Sequence, residues 1–306
     1  MASKKKTTPA EKVDGYQVIT DRIIAELENG TVPWRKPWRS VGGFRPTSLS
    51  SGKPYQGINE LLLSIGAMAS GYGSIYWGTY RQIAALGGQV RKGQKSTQVV
   101  LWKPLVKNEG TPQEQRFWMM RLYYVFNAEQ ADWEEGKMPQ EPTVEDGLDF
   151  TPVEAAERIA EGMPKRPLVK HGGDRAYYSP NLDYVQMPNH NQFTGEEAYY
   201  STLFHELVHS TGHKSRIGRE GIEAFAGFGS ESYSREELIA EMGAAYLCAE
   251  AGIEPRVEQN AAYIASWLKV LRNDKKIVVA AASGAGKAAD FILGRSTKED
   301  TKEGEA

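Results

Sequence analysis

From Tyr16 to Leu27 apolar side chains recur at helical spacing, at Val18, Ile19, Ile23, Ile24 and Leu27, and Gly30 ends the run. The same spacing predicts a second helix over Asn59 to Ala69 and a third over Thr79 to Leu86, stopped by Gly87-Gly88. Between the first two lies PWRKPWRSVGGFRP, expected to be irregular because its prolines carry no backbone N–H for regular pairing. Period-two and aromatic-rich stretches at Gln98 to Lys103 and Arg116 to Phe126 predict strands, with turns at Gly93 and Asn108 to Gly110. The first part of the chain therefore reads as mixed α+β.

The later part has its own start signals. Thr194-Gly195-Glu196-Glu197 fits a capping box, and Gly212 stands where a left-handed residue would stop a helix, so Glu196 to about Thr211 is predicted as one helix. Another is predicted to open at Ser234 as N-cap, with Glu237 at the third position. Ala282-Ser283-Gly284-Ala285-Gly286-Lys287-Ala288 imitates a phosphate-binding loop, but that loop needs Gly at 281 and Ser or Thr at 288, and both are Ala. The expectation is a loop before a helix from Ala288 to Leu293. Between Trp133 and Phe150 the chain is acidic and bears Pro and Gly, which suits a linker, and after Gly294 it is wholly polar. The predicted layout is an α+β fold of two domains, 12–133 and 150–294, joined by a linker over 134–149 and followed by a disordered tail over 295–306.

Composition narrows the class. Of 306 residues 40% are hydrophobic and 25% charged, which excludes a disordered, collagen-like or fibrous chain. The longest apolar stretch, Ile277 to Gly294, is broken by Lys287 and Asp290, so no membrane span is expected. The basic N-terminus has no apolar run behind it and does not read as a secretory signal. With Cys248 as the single cysteine, the expected compartment is the cytoplasm. The net charge of −2 hides an asymmetry: residues 1–130 hold 18 Lys and Arg against 9 Asp and Glu, and the remainder holds 19 against 30. A basic half points to a polyanionic partner, or to nothing more than surface lysine.

Six of the seven tryptophans lie within residues 1–133, five of them in that basic half. The segment VPWRKPWR sets Trp34 and Trp38 among Arg35, Lys36 and Arg39, and single-stranded nucleic acid is held by bases stacking on rings while cations follow phosphates. Arg91, Lys92 and Lys95 form a second cationic turn around Gly93. An indole can equally anchor a loop to the core. The runs DRIIAELENGTVPWRKPWR, GKPYQGINELLLS, YWGTYRQIAALGGQVRKGQKSTQVVLW and YYVFN resemble the N-terminal domain of ArdC-type antirestriction proteins, carried by plasmids, phages and conjugative elements. The resemblance covers Tyr16 to Asn127 and implies binding of single-stranded DNA. Within the matching segments Lys53, Tyr55 and Trp77 complete the candidate surface.

The remaining chemistry is concentrated in His205-Glu206-Leu207-Val208-His209. Residues four apart share a helix face, so His205 and His209 can grip one Zn²⁺, with Glu206 placed to take a proton from a water on the metal. His213 is about 12 Å along a helix from His205 and lies past Gly212, and the metzincin pattern fails at Ser215. On the next helix Glu237 and Glu241 lie one turn apart. As in gluzincins, the first is assigned to the metal and the second to holding a ligand imidazole from behind, though the two roles can be exchanged. The segments AYYSPNLDYVQMP, YYSTLFHELVHSTGH and YSREELIAEMGAAYLCAEAGI resemble the zincin-like metallopeptidase domain that follows the ArdC domain. That likeness implies a strand pair bordering the cleft over Tyr177 to Met187, with Tyr233 as a candidate oxyanion donor. Two functions stay open: a DNA-tethered zinc metallopeptidase, with a restriction-system component as a candidate substrate, or a protein that coats entering DNA while its metal domain is structural or idle.

Overall fold

The computed structural model describes residues 14–35, 45–108, 110–111, 113–141, 151–223, 231–255 and 261–295, with backbone alone for Arg35, Glu223, 231–233 and 261–263. The first element among the described residues is helix α1 (Gly15–Glu28), capped by the Asp14 carboxylate, which accepts from Tyr16 N at 3.0 Å. Strand β1 (Thr47–Ser48), helix α2 (Ile58–Ser70), strand β2 (Tyr76–Gly78), helix α3 (Tyr80–Ala85) and strands β3 (Gly88–Val90), β4 (Thr97–Lys107), β5 (Gln115–Asn127) and β6 (Ala131–Trp133) follow. They make a four-stranded sheet in the order β1-β2-β5-β4 and a two-stranded β3-β6 sheet. Strands β4 and β5 are longer than the sequence pattern predicted and pair antiparallel from Thr97↔Val125 out to Lys107↔Gln115. Toward its base the ribbon is covered on one face by packing of Val99 and Val125 with Leu63 and Trp77, and on the other Val100, Met120 and Leu122 pack into the larger core.

The second domain holds α4 (Pro152–Gly162), β7 (Leu168–His171), β8 (Tyr177–Ser179), β9 (Tyr184–Met187), α5 (Glu196–Thr211), α6 (Glu220–Glu223), α7 (Glu231–Ala251), α8 (Ala261–Asn273) and α9 (Ile277–Ile292). Its sheet has the order β7-β9-β8, with β8 the antiparallel edge. Val185, Met187 and Tyr178 bury the inner face in the core that α5 shares. The two domains are not beads on a linker. Ile19, Ile23, Leu27, Trp34, Leu61 and Leu62 belong to the same buried cluster as Trp267, Ile277 and Val278. Across the seam Tyr246 Oη donates to the Gly57 carbonyl at 3.1 Å, and Thr20 Oγ1 to the Lys275 carbonyl at 2.7 Å. No helix among the described residues is long and apolar enough to cross a membrane.

Several local expectations need correction. Helix α5 starts after Gly195 (φ 155°), which makes no side-chain cap, so Thr194 stands one residue too early for the capping box. Gly212 is right-handed (φ −72°) and is needed for space instead: a Cβ there would lie 2.5 Å from Ile222 Cγ1. Helix α7 begins ahead of Ser234, which is therefore no cap. The glycines of SGAGK lie inside α9, one continuous helix, where Gly286 lets the backbone of Gly57 approach. At the linker the Glu141 carboxylate accepts from Ile75 N at 3.1 Å, so the acidic stretch begins folded against the first domain. Residues 142–150 and 296–306 lie outside the described residues.

Candidate metal centre

Helix α5 runs through the middle of the second domain, so its HExxH face is presented from a rigid element. His205 and His209 direct their Nε2 atoms to within 3.1 Å of each other. Helix α7 crosses α5 closely because residue 243 is glycine; a Cβ there would sit 2.8 Å from Val208 Cγ2. That approach delivers Glu237, whose Oε2 is 3.6 Å from His205 Nε2 and whose Oε1 is 3.4 Å from His209 Nε2. For ligand atoms about 2.0–2.1 Å from a tetrahedral ion, the separation between them is about 3.3 Å. The observed spacings straddle that value, and the three donors fit one metal ion. Their side chains are 10–18% exposed, so the cluster is not sealed in the core.

The surroundings favour a cation. Glu206 is buried on the same helix, and the Glu236 carboxylate lies 3.4 Å from His209 Nδ1, on the far side of the ring. Burial alone would lower the proton affinity of His209, but the carboxylates of Glu236 and Glu237 outweigh it and hold its pKa up at about 10. Positive charge is thus drawn to the position where the imidazoles meet. Glu236 is itself held by Arg219, whose Nε donates to Oε2 at 2.9 Å, and burial, which would raise the carboxyl's pKa, is overcome by His209 and Arg219, which keep it low. Arg219 Nη2 also donates to the Val208 carbonyl at 2.9 Å, tying the end of α5 to α7.

Sequence reasoning placed one carboxylate behind a ligand imidazole and chose Glu241. For His209 that carboxylate is Glu236. Glu241 is buried one turn beyond Glu237 on α7. His213 lies apart from the donors, its Nδ1 2.8 Å from Ser215 Oγ and 3.9 Å from Asp183 Oδ2. The side chain of Tyr233 is outside the described residues. Neither Glu236 nor Arg219 stood out in the sequence; the available signal was that Glu236 adjoins the predicted ligand Glu237.

Among the described residues, two of the proposed DNA-binding side chains lie in the core. Trp34 is fully buried, edge-on to Trp267 with ring centroids 5.3 Å apart, and Trp77 is fully buried against Tyr72. Neither indole can stack on a base. Tyr55 packs against the Trp77 cluster. Arg91 is a structural clamp, its Nη1 donating to the Ala131 carbonyl at 3.2 Å and pairing with Asp132. Lys53, Lys92 and Lys95 are exposed. Lys36, Trp38 and Arg39 fall outside the described residues, as does the side chain of Arg35.

Comparison with known proteins agrees with this layout. Residues 13–126 match the family model of the N-terminal domain of the anti-restriction factor ArdC, and residues 154–284 match that of a zincin-like metallopeptidase. The chain superposes on the metal-free crystal structure of the antirestriction protein ArdC from plasmid R388 with a TM-score of 0.74 at 40% identity, covering 92% of this chain and 97% of that one. The Mn(II)-bound structure of that protein gives 0.74 at 39% identity, over 92% and 98%. An uncharacterised Sinorhizobium fredii protein, y4eC, is 37% identical over 93% of both chains. The Escherichia coli DNA primase TraC is 36% identical over 303 residues, 93% of this chain and 20% of that protein. The chain thus spans about a fifth of the length of that relative.

Proposed function

From a chain that belongs to the ArdC-type antirestriction family, with an ArdC N-terminal domain and a zincin-like metallopeptidase domain, we propose a single-stranded-DNA-binding protein whose second domain is a zinc-dependent peptidase. The observation that carries the peptidase reading is the convergence of His205 Nε2, His209 Nε2 and Glu237 at tetrahedral spacing, with Glu206 on the same helix. Three protein donors leave a fourth position open, as catalytic sites do and structural zinc sites do not. The related R388 protein has been crystallised with Mn(II), which supports a divalent ion in this site.

The bound ion would supply Lewis-acid polarisation of a peptide carbonyl and a water acidified toward neutral pH. Glu206 then acts as general base: its carboxylate accepts the proton of the attacking water and returns it to the leaving nitrogen. Glu236 and Arg219 act earlier, fixing the His209 ring so that Nε2 faces the metal. Glu241, one turn beyond Glu237, is kept as the support of the remaining ligand imidazole. The basic first domain brings the centre to entering DNA, and the peptidase substrate is a component of the restriction system.

The deciding measurement is protection of incoming DNA by wild type and Glu206→Gln, alongside cleavage of candidate protein substrates. The variant is expected to keep its metal and lose both cleavage and protection. Full protection by metal-loaded Glu206→Gln would replace proteolysis with coating of the DNA as the antirestriction mechanism.

A further inference from the structure

The burial of Trp34 and Trp77 leaves the question of which rings in the basic domain can meet a base, and the β4–β5 ribbon answers it. Leu101, Trp102, Val106, Phe117, Trp118 and Tyr124 are all exposed, Trp118 by 66%. Trp102, Val106, Trp118 and Tyr124 share one face of the ribbon, and soluble proteins keep exposed apolar surface small unless it is used. We propose that this ribbon is the arm on which single-stranded nucleic acid stacks, a site that rests on the single-strand-binding reading above.

Register sorts the side chains. Pro104↔Trp118, Trp102↔Met120 and Val106↔Arg116 share one face, while Leu105↔Phe117, Lys103↔Met119 and Leu101↔Arg121 share the other. Trp102 and Trp118 are diagonal cross-strand neighbours, about 7–8 Å apart at the backbone, so they offer two successive platforms on one face. Trp102 is already oriented by Tyr16 of α1, with ring centroids 6.0 Å apart. Strand pairing holds the rings on a stiff element, so little freedom is lost when a base arrives.

Charge selects the occupant. Residues 97–127 carry four Lys and Arg against two Asp and Glu. Glu114 is paired with Arg116 at 2.9 Å, and Lys103, Lys107 and Arg121 are exposed. These three cations stand on the face opposite Trp102 and Trp118. Paired strands are only about 4.8 Å apart, so the long cationic side chains reach round the ribbon edge toward phosphates of a strand stacked on the indoles. A protein partner would need no such cation excess. A duplex keeps its base faces occupied by its own stacking, and indoles have little to offer base edges in a groove.

The test uses the full chain and a fluorescent oligothymidine of about 20 nucleotides, followed by anisotropy at about 50 and 200 mM salt. Replacing Trp102 and Trp118 together by Ala is expected to weaken binding about 5- to 150-fold per stacked base while leaving the thermal midpoint largely in place, since both rings are exposed. Trp118→Phe should retain most of the affinity. The triple change Lys103→Glu, Lys107→Glu, Arg121→Glu should flatten the salt dependence. The arm is ruled out if wild type binds the oligonucleotide and the Ala pair binds as tightly. It is equally ruled out if a duplex of the same length competes equally, or if the Ala pair alters the oligomeric mass and leaves DNA binding intact. Wild type that binds no oligothymidine would remove the single-strand-binding reading itself.

Discussion

Glu236 and Glu237 are sequence neighbours that meet the two nitrogens of one imidazole, Glu236 at Nδ1 and Glu237 at Nε2 of His209. Adjacent helical residues point about 100° apart, so one helix can hold both sides of a ring that stands across it. Glu237→Gln is expected to lose the ion, because a neutral amide replaces one of three donors. Glu236→Gln should retain it with affinity lowered about 10- to 100-fold, since Arg219 would still hold the side chain but the ring would lose its carboxylate. Metal content after dialysis and competition with a chelator measure both. Equal losses from the two variants would mean that Glu236 binds metal directly and that the assignment is wrong. The HExxH donors could be named from sequence because they need one helix and its period. Glu236 and Arg219 could not, because their roles arise only where α6 and α7 meet the end of α5.

Helix α9 shows why a motif must be read in its element. Its glycines resembled a nucleotide loop, yet Gly286 faces Gly57 across the domain seam, and a Cβ at 286 would lie 3.4 Å from Gly57 N. That distance is ordinary contact, so Gly286→Ala is expected to fold and even gain up to about 1 kcal/mol from helix propensity. Gly286→Leu should push the domains apart and cost about 1–3 kcal/mol from overpacking. Thermal unfolding of the pair checks this, and equal tolerance of Ala and Leu would show that the seam is loose there. The periods of α1, α2 and α3 were legible because each helix buries a face the sequence marks. The caps were less so: Gly195 and Gly212 serve backbone shape and space, which depend on neighbours remote in the chain. The two strands of the ribbon were visible as well, but not that they stand largely uncovered, since exposure depends on where α1 and α2 end.

At the scale of the molecule, opposite charge balance and a linker suggested two independent bodies, whereas the core runs through both. Trp34 and Trp267 meet in that core, so Trp267→Ala is expected to cost about 3–5 kcal/mol and to lower one shared unfolding transition. Two separate transitions in calorimetry, with only the later half affected, would contradict the common core. The charges at the seam give it a pH dependence. Glu60 is buried on α2, and burial, only partly offset by Arg45, lifts its pKa from 4.5 to about 7, with Asp290 of α9 and Glu250 of α7 adding to the rise. Arg45 Nη2 lies 2.5 Å from Glu60 and its Nη1 3.5 Å from Asp290, so the group sits where the domains join. Because the folded pKa is above the unfolded one, the folded state binds the extra proton. The stabilisation is complete below about pH 4.5 and is lost as pH rises through about 7. Glu60→Gln removes this titration but keeps the shape, so its stability relative to wild type should rise between pH 4.5 and 8, by at most on the order of 3 kcal/mol. Other carboxylates titrate in both proteins and cancel in the difference. A Glu60→Gln difference that stays constant across that window would show that Glu60 is ionised throughout, and that the seam holds a permanent Arg45–Glu60 ion pair in place of a proton.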